Sequence, residues 1–162
     1  MKRFVALYFL YLAGLFVFFY AQSSSLSVAL NTKQTEFTLF LLDKFLSPGQ
    51  LQGIDIMINP HYKIIINQAC NGMIPILFLY ASILAYPSGI AHKMLWMVIG
   101  YLFFVLANVA RILLVVHFVE QEGGRANFYW SHDILGNALL MAVGLGLFIL
   151  FIKTSGERVR SY

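Results

Sequence analysis

Long uncharged apolar runs alternate along the chain with short polar segments, and four of these runs, 4–21, 72–86, 94–119 and 134–152, read as membrane-spanning helices. The first follows Met1-Lys2-Arg3, and its 18 residues at helical rise cover about 27 Å, enough to cross most of a hydrocarbon core. A basic start before an apolar core also suits a signal peptide. Cleavage after Ala21 would place bulky Phe19 where a small residue is wanted, so an uncleaved anchor is the preferred reading. The second run is closed by Pro87-Ser88-Gly89 and is short, about 22 Å against a ~30 Å core. Either its helix kinks past Pro87, or its outer end lies below the membrane surface and sinks a polar pocket there. Ser131 is placed to cap the fourth helix, with Asp133 in its first turn, and Gly144 and Gly146 permit close helix approach.

The segment 22–71 is polar to mixed but ordered. From Thr35 to Leu46, Phe37, Leu41 and Phe45 share a face before Ser47-Pro48-Gly49 stops the run, which predicts a short helix lying in the outer interface. Ile54 to Ile58 alternates at period two, Asn59-Pro60-His61 makes a turn, and Tyr62 to Ile66 is a β-branched run, together a small β-hairpin. The expected fold is an all-α polytopic membrane protein forming a single membrane domain over 1–162. It has about four transmembrane helices, an outer interfacial helix and the hairpin.

Composition agrees: 60% of the 162 residues are hydrophobic, 11% are charged and 16% are aromatic, with a mean hydropathy of +0.76, too apolar for a water-soluble domain. The net charge of +4 is therefore no nucleic-acid patch; what matters is its distribution. With the N-terminus inside, Lys2, Arg3, Lys93, Lys153, Arg158 and Arg160 face the cytoplasm with Glu157 as the sole acid. The outer segments carry Lys33, Lys44, Lys63 and Arg125 against six acids. This obeys the positive-inside tendency and places both termini on the cytoplasmic side of a cytoplasmic (inner) membrane.

Candidate chemistry gathers on the outer side. Cys70 is the only cysteine, which leaves it packing, metal ligation with non-Cys partners, or nucleophilic chemistry. Pro75 belongs in a first helical turn, so the second helix should start near Asn71 to Ile74 and set Cys70 at its N-terminus, where the macrodipole favours thiolate. Arg111 interrupts the third run roughly 26 Å beyond Met94, and Asn108 shares its face. An intramembrane guanidinium is either functional or snorkelling to the interface. His132 falls at the outer end of the fourth helix, with Gly136 leaving space on the same face. His61 and His117 read as solvated or interfacial. No carboxylate or second histidine is spaced with His132 as a metal-ligand pair, so neither metal nor cofactor is expected.

Ala69-Cys70-Asn71-Gly72, Asn108-Val109-Ala110-Arg111 and His132 followed by Gly136, in that order on successive spans, resemble the catalytic core of the exosortase/archaeosortase family of membrane-embedded cysteine transpeptidases. The resemblance covers about Asn67 to Gly136. It implies an enzyme that cleaves membrane-anchored proteins at a C-terminal tripartite signal (short motif, transmembrane helix, basic tail) and passes them to an acceptor. It further implies Cys70 as nucleophile, Arg111 as catalytic arginine and His132 as third member, with Asn108, Asn71, Gly72 and Gly136 in support. The chain departs from larger members in having only about four spans. Independently of the resemblance, acyl transfer requires a thiolate, a base that later protonates the leaving amine, and an oxyanion donor; Cys70, His132 and Arg111 supply these. The other reading is a non-catalytic assembly subunit that uses Arg111 to pair with a partner helix. A transporter is disfavoured because the inner halves of the spans hold almost no ionisable groups.

Overall fold

The computed structural model describes residues 2–21, 24–59, 62–122 and 134–160. Among these, three helices are long and apolar enough to cross a membrane, a fourth apolar helix is shorter, and a small three-stranded antiparallel sheet accompanies them. The fold is thus mostly helical with a small β-element, as the sequence pattern predicts.

Helix α1 (Lys2–Phe19) is apolar all round and has no buried residue, as suits a span facing lipid. Helix α2 (Ser25–Leu42) starts at Ser24, whose hydroxyl accepts from the Ser27 amide. The sheet β1 (Leu51–Gln52), β2 (Asp55–Asn59) and β3 (Tyr62–Ile65) follows in that spatial order, with Ile56 opposite Ile64. Helix α3 (Met73–Ala85) has Pro75 in its first turn, where the missing N–H does no harm, and ends as Tyr86 turns extended ahead of Pro87. Helix α4 (Ile90–Glu122) is unbroken for 33 residues, about 50 Å. A π-turn at 134–136 leads into helix α5 (Asn137–Arg160).

Two expectations change in detail. The helix expected over Thr35–Leu46 begins well upstream, at Ser25, and stops at Leu42. What organises it is a buried stripe of Ser27, Asn31, Gln34, Thr38 and Leu42, while Phe37 and Phe40 face outward. The helix is therefore polar towards the protein, while its outward side mixes Val28, Phe37 and Phe40 with the exposed Lys33–Glu36 ion pair, and an aromatic face alone gives the wrong start. The hairpin gains a third strand because Gly53, at φ 64°, turns the chain so that Leu51 meets Ile56. Of the two options for the second run, α3 takes the short one: 13 residues, about 20 Å, with no continuation past Pro87.

Two apolar cores sit one above the other along α4. Ile76, Leu79 and Ile83 of α3, Phe104 of α4 and Leu140, Leu147 and Phe151 of α5 form the first. Leu42, Ile56, Ile64 and Ile66 close on Val109 to Val119 of α4 to form the second. α1 packs along α3, and Phe16 meets Phe78 edge to face at 5.9 Å. Gly100 and Gly144 let the helices close: a Cβ would stand 2.5 Å from Leu79 at the first and 3.0 Å from Phe104 at the second. Leu42, fully buried, ties α2 to both the sheet and α4. Leu42→Ala should therefore cost about 2–5 kcal/mol. In detergent micelles its melting temperature should fall clearly, whereas Phe103→Ala, at a 56% exposed position, should leave it near wild type.

Candidate active site

Between the two cores lies a layer of buried polar groups, and the turn carrying Cys70 is its centre. After β3 the chain makes a 3-10 turn, Gln68–Cys70, in which the Cys70 amide donates to the Asn67 carbonyl at 2.9 Å. Gly72 then reverses direction with φ 77° and caps α3. Asn71, wholly buried, accepts the Met73 amide on its side-chain oxygen at 2.9 Å, taking one of the helix's orphan N–H groups. The helix starts at Met73, inside the window expected from Pro75, and Cys70 stands two residues ahead of its cap. The first amide of that helix is engaged by the Asn71 side chain.

Helix α4 brings Asn108 and Arg111 to this turn on one face, three residues apart. Asn108 donates through Nδ2 to the Cys70 carbonyl at 2.8 Å, and its Oδ1 accepts from Arg111 Nη1 at 3.4 Å. One buried amide thus links the cysteine backbone to the guanidinium. Cys70 itself is half-buried and packs against the sheet-side core. Arg111 is 4% exposed, so snorkelling to an interface does not describe it; its charge is held inside the protein. His132, with Ser131, Asp133 and the aromatic residues Phe128, Tyr129 and Trp130, lies outside the described residues, as does His61. Gly136 is buried in the π-turn ahead of α5. Among the described residues, no group of three His, Cys, Asp or Glu side chains could hold a metal ion.

The other partners of the turn come from α2. Asn71 donates through Nδ2 to Asn31 Oδ1 at 3.0 Å, and its carbonyl accepts from Gln34 Nε2 at 3.1 Å. The Tyr101 hydroxyl donates to Gln34 Oε1 at 2.7 Å. Sequence reasoning passed over Asn31, Gln34 and Tyr101. The usable signal was polar residues at 27, 31, 34 and 38, a helical stripe within a chain this apolar.

A groove of about 620 Å³ runs from this layer between α3 and α5. Gly72 and Arg111 stand among its lining, with Ile74 and Phe78 on one wall, Leu140 and Gly144 on the other and Phe104 between.

Residues 2–150 match the family model described as transmembrane exosortase (Exosortase_EpsH). The chain belongs to the transmembrane exosortase family. No curated protein and no solved structure matches it. As an exosortase family member it is a transmembrane protein of the lipid bilayer, and the polar layer of this exosortase holds Cys70, Asn108 and Arg111 together where its two apolar cores meet.

Gly72 is the position most sensitive to a small change. A Cβ there would lie 3.0 Å from Asn108 Cγ, and the left-handed backbone alone costs about 1–2 kcal/mol for a non-glycine residue. Gly53, also at positive φ, has open space around it. Gly72→Ala should therefore lower the melting temperature more than Gly53→Ala, measured side by side in micelles.

Proposed function

We propose that the protein is a cysteine transpeptidase or protease that processes membrane-anchored proteins bearing a C-terminal signal of short motif, transmembrane helix and basic tail. Membership of a family whose members are generally cysteine transpeptidases supports the reading, and the observation that carries it is the Asn108 bridge between Cys70 and Arg111. The charge distribution orients the chain with both termini in the cytoplasm of a cell whose inner membrane it spans, and the polar layer towards the outer face. Because α3 is only about 20 Å long, the Cys70 turn then lies at the depth of the outer leaflet rather than above it.

The substrate's own helix is taken to lie in the groove between α3 and α5, whose two walls are helical stripes of apolar and small residues. Continuity of the groove with Gly72 and Arg111 delivers the residue preceding that helix to the polar layer. The Cys70 thiol gives its proton to His132, the resulting thiolate attacks the scissile carbonyl carbon, and the C=O π pair moves onto oxygen. Arg111 stabilises that oxyanion, being always charged and held in a dry site. As the tetrahedral species collapses, the C–N bond breaks and His132 protonates the departing amine. A thioester on Cys70 remains. An acceptor nucleophile attacks it and restores the thiolate; water in that role makes the outcome hydrolysis.

The test is co-expression with a protein from the same genome that ends in such a signal, followed by its conversion on a gel. Cys70→Ala should abolish conversion while the variant still accumulates in the membrane. Arg111→Lys should reduce it by about 10²-fold or more, as loss of an oxyanion donor does. Conversion persisting in Cys70→Ala removes the nucleophile assignment.

A further inference from the structure

Asn71 has its carbonyl in the buried layer, next along the chain to the carbonyl that Asn108 holds. Gln34 donates to it at 3.1 Å, and Gln34's other amide atom accepts from the Tyr101 hydroxyl at 2.7 Å. A glutamine amide can present either end to a neighbour; a hydroxyl donating to Oε1 leaves Nε2 pointing at Asn71. Tyr101 and Asn108 are seven residues apart on α4, two turns along one face. Helix α4 therefore grips consecutive carbonyls of the thiol-bearing turn at two points, Cys70 directly through Asn108 and Asn71 through the Tyr101–Gln34 relay. Asn31 adds a third hold on the Asn71 side chain, and its own amide is fixed by donation to the carbonyls of Phe19 at 2.8 Å and Ser27 at 2.9 Å.

We propose that Gln34 and Tyr101 are positioning residues for Cys70, forming a hydrogen-bonded strut that fixes where the thiol stands relative to Arg111; this rests on the reading of Cys70 as the nucleophile. Thr38 provides the contrast. It belongs to the same buried stripe of α2, but its hydroxyl donates only to its own helix, to the Gln34 carbonyl at 2.9 Å. A stripe that merely seats α2 needs Thr38 as much as Gln34. A strut to the thiol needs Gln34 and Tyr101 alone.

Because Cys70 is the only cysteine, alkylation by iodoacetamide reads this thiol without substrate. The rate is measured between about pH 6 and pH 10 on purified full-length protein in micelles, because thiolate fraction and access set it. Gln34→Met and Tyr101→Phe should displace the profile, by a changed plateau of about threefold or more or by a moved midpoint, while Thr38→Val superimposes on wild type. Conversion of the co-expressed substrate should fall with the first two and not with the third. Profiles of Gln34→Met and Tyr101→Phe that superimpose on wild type overturn the proposal, as does an equal displacement in Thr38→Val. Should Gln34→Met fail to accumulate, Tyr101→Phe decides, since it removes one oxygen. The nucleophile reading stands or falls separately, on conversion in Cys70→Ala.

Discussion

The backbone of residues 70–72 leaves helical and sheet hydrogen bonding at a depth where two apolar cores meet, and its polar groups must find partners inside the protein. Without them each buried carbonyl or amide would cost several kcal/mol in an apolar medium. The arrangement of the rest of the molecule follows from meeting this demand. Asn108 takes the Cys70 carbonyl, Gln34 the Asn71 carbonyl, and the Asn71 side chain one amide of α3. Partly satisfied, such a layer would be worse than an apolar one; satisfied, it fixes one geometry.

That demand explains the character of α2 and α4. A helix that turned an apolar side to the protein here would have nothing to offer the turn. α2 instead buries Ser27, Asn31, Gln34 and Thr38 and leaves Val28, Phe37 and Phe40 outside. α4 has to reach both cores without a break, because Phe104 belongs to one and Val109 to Val119 to the other, with Asn108 and Arg111 where they join. A kink there would change the spacing between Tyr101 and Asn108, and the two carbonyls they serve are adjacent. The same requirement accounts for Gly72: its left-handed backbone is available at low cost only to glycine, and a side chain would displace Asn108.

Much of this was legible in the sequence because long apolar runs, a proline in a first turn and residues three apart on a helix obey local rules. The class of fold came from the runs, the start of α3 from Pro75, and the shared face of Asn108 and Arg111 from helical spacing. The start of α2 was missed because the helix was read from the apolar face of Phe37, Leu41 and Phe45 alone, as a short helix lying in the outer interface. The polar positions Ser27, Asn31, Gln34 and Thr38 mark the side that α2 turns to the protein, and they begin ten residues before Phe37. The relay from Tyr101 through Gln34 to Asn71 joins residues 37 and 67 positions apart in the chain, and no local pattern encodes such a contact. The third strand was missed for a related reason: two residues, Leu51–Gln52, carry too little alternation to read.

The buried state of Arg111 bears on the proposed chemistry more than its identity does. At 4% exposure its charge is screened little by water, so its pull on a nearby thiolate or oxyanion is far greater than at a wet surface. The same burial would be costly if the guanidinium had only apolar neighbours, and Asn108 offsets part of that cost by accepting a hydrogen bond from it. An amide at this position therefore serves two ends at once: its oxygen accepts from the buried guanidinium, and its nitrogen holds the backbone carbonyl of the cysteine.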